Sequence, residues 1–261
     1  MTDRPAPAPR TARALARETL TRDIVGAARA RLAQDGPAAL SLRAVARDVG
    51  MVSSAVYRYF PSRDALLTAL LVECYDELGA AVEDAEAAQR EHGLAARWLA
   101  ACRAVRTWSV AHPGEFSLLY GTPVPGYAAP RDTVVPATRV VRVLVRVAAD
   151  AHDAGARPVA PAAWPGVDAP VETVVARARE YVAAEGLFPG RAPGETTLRV
   201  LMAWSTLFGA VSFELFGHLV GSVDDGAAWF DAVAVRLGAD LGMAPAGAGD
   251  GGDAAPGRRG R

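Results

Sequence analysis

The clearest structural signals of this chain lie in residues 32–67, LAQDGPAALSLRAVARDVGMVSSAVYRYFPSRDALL. Glycine and proline divide this stretch into short segments in which apolar residues recur at helical spacing. The pair Gly36-Pro37 ends a first helix, which the apolar pattern starts near Thr21. Gly50 ends a second helix, and Pro61 ends a third. The residues therefore predict three short helices that are joined by tight turns.

Three short helices with a tight turn between the last two are what a helix-turn-helix requires. Ser41 is placed to cap the second helix, and Gly50 can take the left-handed conformation that the turn needs. The third helix, from about Ser53 to Phe60, would present its first residues to the major groove of DNA. The segment SSAVYRYFPSR, residues 53–63, is dense in hydroxyl and guanidinium donors. Such donors suit phosphates and base edges, although a polar turn between two helices would also carry them.

Charge is distributed unevenly along the 261 residues. Residues 1–64 hold eleven arginines and six acidic residues, a net charge of +5, whereas the rest of the chain carries −6. A basic amino-terminal quarter on an acidic body indicates that this quarter meets a polyanion. The chain contains no lysine, which points to a biased genome composition. The individual arginines are therefore not taken as evidence on their own.

Beyond the first quarter, apolar residues keep the helical period, and no alternating strand pattern of useful length occurs. Further helices are predicted over 62–88, 94–111, 115–120, 132–152, 171–185, 195–219 and 224–241. The loops 121–130 and 153–170 are longer than ordinary connections. About half of the chain, 51%, is hydrophobic, which is enough for a sizeable core. The predicted fold class is all-α.

No membrane segment or secretory signal is predicted, because no apolar run approaches the roughly 18 residues of a membrane span and the first residues lack an apolar core. Cys74 and Cys102 lie in apolar helical settings, where reduced thiols of a cytosolic protein are expected rather than a disulfide. The four histidines are scattered, without a metal-ligand cluster or a nucleophile motif. No cofactor and no metal are therefore expected.

Residues 21–67 resemble the DNA-binding domain of TetR-family (tetracycline-repressor-like) transcriptional regulators. The resemblance depends on the apolar-x-x-apolar-Ala pattern before Gly50, the Tyr-x-Tyr-Phe at 57–60, and Arg63 followed by Leu66. It implies a three-helix helix-turn-helix domain followed by a helical ligand-binding and dimerisation domain. The predicted boundaries are a DNA-binding domain at 17–65 and an effector-binding and dimerisation domain at 66–241. Composition predicts a disordered arm at 1–16, rich in Pro, Ala and Arg, and a disordered low-complexity tail at 242–261.

The resemblance also implies which residues contact DNA. They are Arg43, Ser53, Ser54, Ala55, Tyr57, Arg58, Tyr59 and Arg63. A solvated surface position is an equal alternative for Arg58. The sequence departs from the family at Val52, where a serine N-cap is more usual, and Ser53 is expected to take over the cap. A solvated tail is favoured over an arm in the minor groove for four further arginines, namely Arg4, Arg10, Arg13 and Arg17.

The carboxy-terminal body resembles a subgroup of the family with a Trp/His/Gly-marked domain, through HPGEFSLLYG at 112–121 and WSTLFGAVSFELFGHL at 204–219. The resemblance implies a homodimer on a palindromic operator, more often a repressor than an activator, that a small apolar effector controls. The dimer is expected to form through Leu198, Leu201, Ser205, Ser212, Leu215, Phe230, Val233 and Leu237. Candidates for the effector pocket, each more expected in the plain core, are Trp108, Phe116, Tyr120, Trp204, Phe208 and His218.

The predicted partners are therefore double-stranded DNA, a second copy of the chain and a small apolar molecule, with no membrane. The predicted location is the bacterial cytoplasm, on the nucleoid when DNA is bound. The alternative is a helical enzyme or apolar-ligand carrier with a degenerate helix-turn-helix. The two hypotheses differ in one property, because a regulator loses DNA affinity steeply as salt rises and the alternative has no such affinity.

Overall fold

The structure, a computed structural model, describes residues 11–159, 170–188 and 190–243. Over these ranges the chain is helical and contains no strand, and the predicted all-α fold class is confirmed. The helices of the described residues are α1 (Ala12–Asp35), α2 (Leu42–Asp48), α3 (Ser53–Val56), α4 (Arg63–Ala87), α5 (Leu94–Ala111), α6 (Pro113–Tyr120), α7 (Val134–Ala137), α8 (Arg139–Asp153), α9 (Val171–Val174), α10 (Ala176–Ala184), α11 (Gly194–Leu215) and α12 (Gly226–Asp240).

The chain divides into two compact units. The amino-terminal unit comprises the residues up to Glu77 together with Ala111–Ala137, and the carboxy-terminal unit comprises Leu78–Val110 and the residues from Thr138 onward. This division differs from the predicted boundary after residue 65. The reason is that the first turns of α4 complete the core of the amino-terminal unit, so the helix cannot be assigned to the second unit from its start.

The amino-terminal unit is held together by an apolar cluster to which α1, α2, α3 and α4 all contribute. Its buried members include Ile24, Val25, Ala28, Leu32, Leu40, Leu42, Val45, Ala46, Val56, Phe60, Leu66, Leu67 and Leu70. Each fully buried aliphatic or aromatic side chain stabilises the fold by roughly 1.5–3 kcal/mol. The short helix α3 depends on this burial, because Val56 and Phe60 are 0% and 6% exposed and a four-residue helix has little stability of its own.

Helix α1 begins nearly three turns earlier than the sequence pattern predicts. Thr11 occupies the N-cap, and its Oγ1 accepts a hydrogen bond from the Ala14 N–H at 3.2 Å. Thr21 is an interior residue whose hydroxyl donates to the Arg17 carbonyl. The predicted start near Thr21 and the predicted disorder of residues 12–16 are therefore wrong. No helix breaker separates these residues from the rest of α1, and residues 1–10 lie outside the described residues.

The turn between α2 and α3 has the predicted conformation. Gly50 has a φ of 66°, in the left-handed region, and the Met51 N–H donates to the Ala46 carbonyl at 2.8 Å. Val52 occupies the N-cap position of α3 without a side-chain bond, and Ser53 is the first helical residue. The expectation that Ser53 would act as the cap is therefore wrong. The extended residue that precedes the helix is Val52, and Ser53 already belongs to the helix.

Two serines before helices differ in their bonds. Ser62 caps α4, since its Oγ accepts from the Ala65 N–H at 3.0 Å. Ser41 stands at the N-cap of α2 but makes no side-chain cap bond. In the middle of the chain, α5 has the predicted bounds Leu94–Ala111, and Pro113 starts α6 after the break at His112.

The carboxy-terminal unit is built around α11, which packs on α8, α9, α10 and α12. Trp98 of α5 is buried against α12, where its indole Nε1–H donates to the Ala234 carbonyl at 2.8 Å. Gly238 allows this approach, because a Cβ there would lie 2.8 Å from the indole ring. The helix α11 ends at Leu215 rather than at the predicted residue 219, and Gly217 follows with a φ of 78°.

By length and composition, α11 is the one described helix that is apolar enough to cross a membrane. The lack of a long apolar run in the sequence predicted no membrane segment, and Gly194–Leu215 differs from that prediction by length and average composition only. A core helix of a soluble protein passes the same test, and the packing of α11 on four neighbouring helices is typical of such a core helix. The helix therefore gives weak evidence for a membrane span.

Candidate nucleic-acid interface

The predicted reading residues lie on α3 and the turn that follows it, within the amino-terminal unit. Ser54 is exposed, while Ser53 and Ala55 are half-buried and Val56 is buried. Tyr57 and Arg58 are exposed, with Tyr57 at 45% of its full surface. The polar and small side chains therefore face outward from a segment that is anchored from beneath.

Tyr59 is half-buried and has a cation beside it. The guanidinium carbon of Arg17 lies 5.1 Å from the centroid of the Tyr59 ring, within the range of a cation–π contact. The structure thus brings the first turns of α1 to the segment after α3. The sequence did not predict this contact, because 42 residues separate the two partners and no local pattern links them.

Arg63 has a different environment from the other predicted DNA contacts. Its Nε donates to the Leu40 carbonyl at 2.9 Å, and its Nη2 donates to the carbonyls of Pro37 and Ala38 at 3.1 and 3.0 Å. The guanidinium therefore satisfies carbonyl groups of the turn between α1 and α2. The contact of Arg63 with a phosphate stays a prediction, and the three bonds give the side chain a structural role that the sequence did not indicate.

The arginines of the amino-terminal unit fall into two groups. Arg29 and Arg31 form ion pairs with carboxylates. Among the residues that the structure describes, six exposed arginines before residue 64 form no ion pair, namely Arg13, Arg17, Arg22, Arg43, Arg47 and Arg58. Positive charge without a nearby carboxylate attracts polyanions more strongly than paired charge does. Arg43 and Arg58 belong to the residues that were predicted to contact DNA.

Arg29 connects three helices of the amino-terminal unit. Its guanidinium donates to the carboxylates of Glu77 on α4, at 2.5 and 2.7 Å, and of Glu115 on α6, at 3.1 Å, with Glu73 at 3.3 Å. These bonds, the one to Glu77 above all, raise the pKa of Arg29 above its usual range. Gly114 lets α6 approach α1, because a Cβ there would lie 2.8 Å from the backbone of Ala33. The sequence did not predict this network. Its one local sign was the spacing of Glu73 and Glu77, which at i, i+4 lie on the same face of a helix.

The six predicted effector residues lie in both units. Phe116 and Tyr120 pack together in the amino-terminal unit, with ring centroids 5.4 Å apart. The other four, Trp108, Trp204, Phe208 and His218, belong to the carboxy-terminal unit. Trp204 is 36% exposed and His218 is exposed, whereas Phe208 is 8% exposed. Exposed rings cannot line an enclosed pocket, and the function of all six as effector contacts stays a prediction.

A separate apolar cavity of about 270 Å³ lies between α5 and α12. It is lined by His92, Ala95, Ala96, Trp98, Leu99, Val235, Gly238, Ala239 and Met243. None of the six predicted residues belongs to this set. No group of three or more His, Cys, Asp or Glu side chains within the described ranges could hold a metal ion.

The predicted dimer residues are placed unevenly. Phe230 is 0% exposed in the core of its own chain, so it has no surface to offer a partner and its prediction is wrong. Ser205 is exposed, and the remaining predicted residues are half-buried. The side chains that α11 exposes most follow another stripe, which includes Met202 and Phe213, at 48% and 54% exposure. Sequence reasoning missed this stripe because α11 is apolar on several faces.

The chain is similar to known proteins over both units. A family model described as bacterial regulatory proteins of the tetR family matches residues 24–70, and one described as the tetracyclin repressor-like C-terminal domain matches residues 98–237. An HTH-type transcriptional regulator of Mycobacterium tuberculosis (strain ATCC 25618 / H37Rv) is 40% identical over 207 residues, which cover 78% of this chain and 83% of that protein.

Two solved structures extend the similarity to the fold. The crystal structure of a regulatory protein matches with a TM-score of 0.69 at 31% identity, over 87% of this chain and 98% of that one. The structure of a protein of unknown function from Rhodococcus sp. RHA1 matches with a TM-score of 0.62 at 25% identity, over 86% and 96% of the two chains. The similarity therefore includes the helix-turn-helix and the helical body that follows it.

Proposed function

The chain belongs to the TetR family of bacterial transcriptional regulators, and on that premise we propose that it is a homodimeric repressor that binds a palindromic operator and is released by a small apolar effector. The family and the relatives identify a regulator and not an enzyme, so the alternative of a helical enzyme or carrier is set aside. The proposed place of action is the cytoplasm, on the nucleoid while DNA is bound.

The DNA-binding part of the proposal is carried by the surface around α3. Ser54, Tyr57 and Arg58 are exposed donors on a segment that Val56 and Phe60 fix to the core. Arg43 and Arg47 on the neighbouring α2, and Arg17 beside Tyr59, are exposed and form no ion pair within the described residues, so DNA phosphates would find charge there that is not already neutralised. Phosphate contacts of this kind position a recognition element, and side chains at the start of α3 are then available to base edges.

The homodimer is supported by the exposed face of α11. Met202, Ser205 and Phe213 are exposed and, with the half-buried Gly209, recur at intervals of three or four residues, so they lie on one side of the helix. Phe216, also exposed, follows at the end of the helix. A stripe of large apolar side chains interrupted by small ones favours the close approach of a second helix, and an isologous contact would bury it in both copies. Two reading elements about 34–36 Å apart would then fit the two halves of a palindrome.

The effector part of the proposal is supported by the apolar lining of the cavity between α5 and α12. A volume of about 270 Å³ is slightly below the range of drug-sized ligands, which suits a small apolar molecule. An effector releases DNA only if it binds the DNA-free state more tightly than the DNA-bound state. Helix α4 contributes residues to both units, and we propose it as the element whose position the effector changes.

The test is a fluorescence-anisotropy titration of the full chain with duplexes from upstream of its own gene, over a series of salt concentrations. We expect one fragment to bind far more tightly than a scrambled duplex, with an affinity that falls steeply as salt rises. The Tyr57→Phe and Ser54→Ala variants each remove one donor, and a loss of about 1 kcal/mol, roughly fivefold in Kd, is expected for each. Equal binding of wild type to all duplexes, without any salt dependence, would contradict the proposal.

A further inference from the structure

The first turns of α1 extend past the core of the amino-terminal unit. None of the residues from Ala12 to Asp23 is buried, and the first buried residue of the helix is Ile24. The helical backbone nevertheless continues to the cap at Thr11. A segment without buried side chains contributes little to the core, so its exposed side chains are available for another contact.

Two arginines of this segment lie on the same face of α1 as the core residue Ile24. Arg13 and Arg17 are separated by four residues, and Ile24 follows Arg17 by seven, so the three lie on one face of a helix with 3.6 residues per turn. Further along α1 this face is buried in the core. At its beginning the same face carries guanidinium groups, and that of Arg17 lies against the Tyr59 ring, directly after the reading helix.

The charge of Arg13 does not stabilise the start of the helix. The first turn of α1 contains no acidic residue, and a cation near the start of a helix opposes the helix dipole. Arg13 and Arg17 form no ion pair within the residues that the structure describes. They therefore form a basic surface that reaches the turn after α3 through Arg17 and that no carboxylate of the described residues neutralises by an ion pair.

We propose that Arg13 and Arg17 bind phosphates of the operator beside the bases that α3 reads, so that the first turns of α1 form a second DNA contact of this protein. The inference rests on the proposed operator binding. Duplex DNA is the partner that the charge and the continuity with the reading surface favour. Because phosphates carry no sequence information, this contact would strengthen binding to operator and non-operator DNA equally.

The magnitude follows from counterion release. Each phosphate that a cation neutralises steepens the dependence of log K on log salt by about 0.9, which corresponds to roughly fivefold in affinity at 0.15 M salt. Arg17→Ala and Arg13→Ala should each weaken operator binding by about fivefold and lower the salt slope by ~0.9. The ratio of operator to scrambled-duplex affinity should stay unchanged.

Arg22→Ala is the matched control. Arg22 is exposed on the same helix with the same charge, but it follows Arg13 by nine residues and so lies on the opposite face. We expect it to keep the wild-type slope and affinity. Arg17→Lys should restore most of the slope, since it keeps the charge and only weakens the contact with Tyr59.

The experiment is the anisotropy salt series with wild type and these variants, and circular dichroism verifies that each variant is folded. Wild type that fails to prefer any operator would refute the proposed function itself. Wild type that binds its operator while Arg13→Ala and Arg17→Ala keep the wild-type slope would refute this inference alone. A loss in Arg17→Ala that Arg17→Lys does not restore, at an unchanged slope, would also refute it, because the arginine would then only position Tyr59.

Discussion

Replacing Arg63 by alanine separates a structural role from a DNA-binding one. The structure gives this guanidinium three bonds to the turn between α1 and α2, at 2.9, 3.0 and 3.1 Å, made by two of its nitrogens. Bonds from a charged donor contribute roughly 1.5–3 kcal/mol each. Partial exposure of the site places the expected value at the lower end. Counting one bond for each donating nitrogen, Arg63→Ala should lower the free energy of unfolding by about 3 kcal/mol.

The assay is thermal unfolding of the chain without DNA, followed by circular dichroism. For a chain of this size a loss of about 3 kcal/mol corresponds to a decrease of roughly 6–12 °C in Tm. Arg63→Lys should recover part of the loss, because an ammonium group keeps the charge and can reach one or two of the same carbonyls. Arg58→Ala is the control, since Arg58 is exposed and forms no ion pair within the described chain, and its Tm should stay within about 1 °C of wild type.

One result would refute the reasoning. If Arg63→Ala melted at the wild-type temperature and bound operator poorly, the three bonds would contribute nothing to folding. The guanidinium would then be assigned to a phosphate, as the family resemblance implies. A lower Tm together with weaker DNA binding that stabilising osmolyte restores would instead show that Arg63 acts through the fold.

Three further predictions concern the dimer, the reading turn and a buried thiol. Phe213→Asp places a charge on the exposed stripe of α11, and a buried unpaired charge would destabilise the proposed dimer. Light scattering should then report a monomer. Val220→Asp is the control, because Val220 is 83% exposed and lies beyond the helix, so this variant should stay a dimer. Gly50→Ala should destabilise the protein by about 1–2 kcal/mol in urea unfolding because its φ is 66°, while Gly26→Ala, with open space around it in α1, should stabilise it by up to ~1 kcal/mol. Burial raises the pKa of Cys74 to about 12, so its thiol should resist iodoacetamide at pH 8 until the chain is unfolded. In the unfolded chain the Cys74 thiol ionises near pH 8.5. The stability that the buried neutral thiol contributes is therefore complete below that pH and falls as the pH rises toward 12. Comparing the free energy of unfolding of wild type and Cys74→Ala at pH 7.5 and 10 would measure this fall.

Local breakers explain why most helix ends were predictable. Gly36, Gly50 and Pro113 act through their own backbone, whose allowed conformations do not depend on distant residues. The start of α1 was missed for a related reason. Amphipathic spacing begins where the helix meets the core, at Ile24, and a helix that continues past its core has no apolar period to read.

Contacts between distant residues explain the errors at the site. The carbonyls that Arg63 satisfies lie 23 to 26 residues earlier, and no spacing in the sequence links them to a guanidinium. Phe230 was placed in the dimer interface because it belongs to an apolar stripe. Periodicity identifies such stripes but does not say which one the chain buries by itself, and in α12 the chain buries the one that contains Phe230.

The distribution of arginine partners connects the fold to the function. Arg29 and Arg31 are held by carboxylates within the amino-terminal unit, and Arg63 is held by backbone carbonyls, so these three charges fix helices and a turn. The exposed arginines near α3 lack such partners in the described chain and keep their attraction for an anion. A charge that is already paired would have to break that pair before it could bind a phosphate, and would gain correspondingly less from binding. We therefore expect the surface that contacts DNA to lie where arginines form no ion pair. A carboxylate introduced beside Arg58, as in Ala55→Glu, should then weaken operator binding, and the loss in affinity should exceed the loss caused by removing the alanine side chain alone.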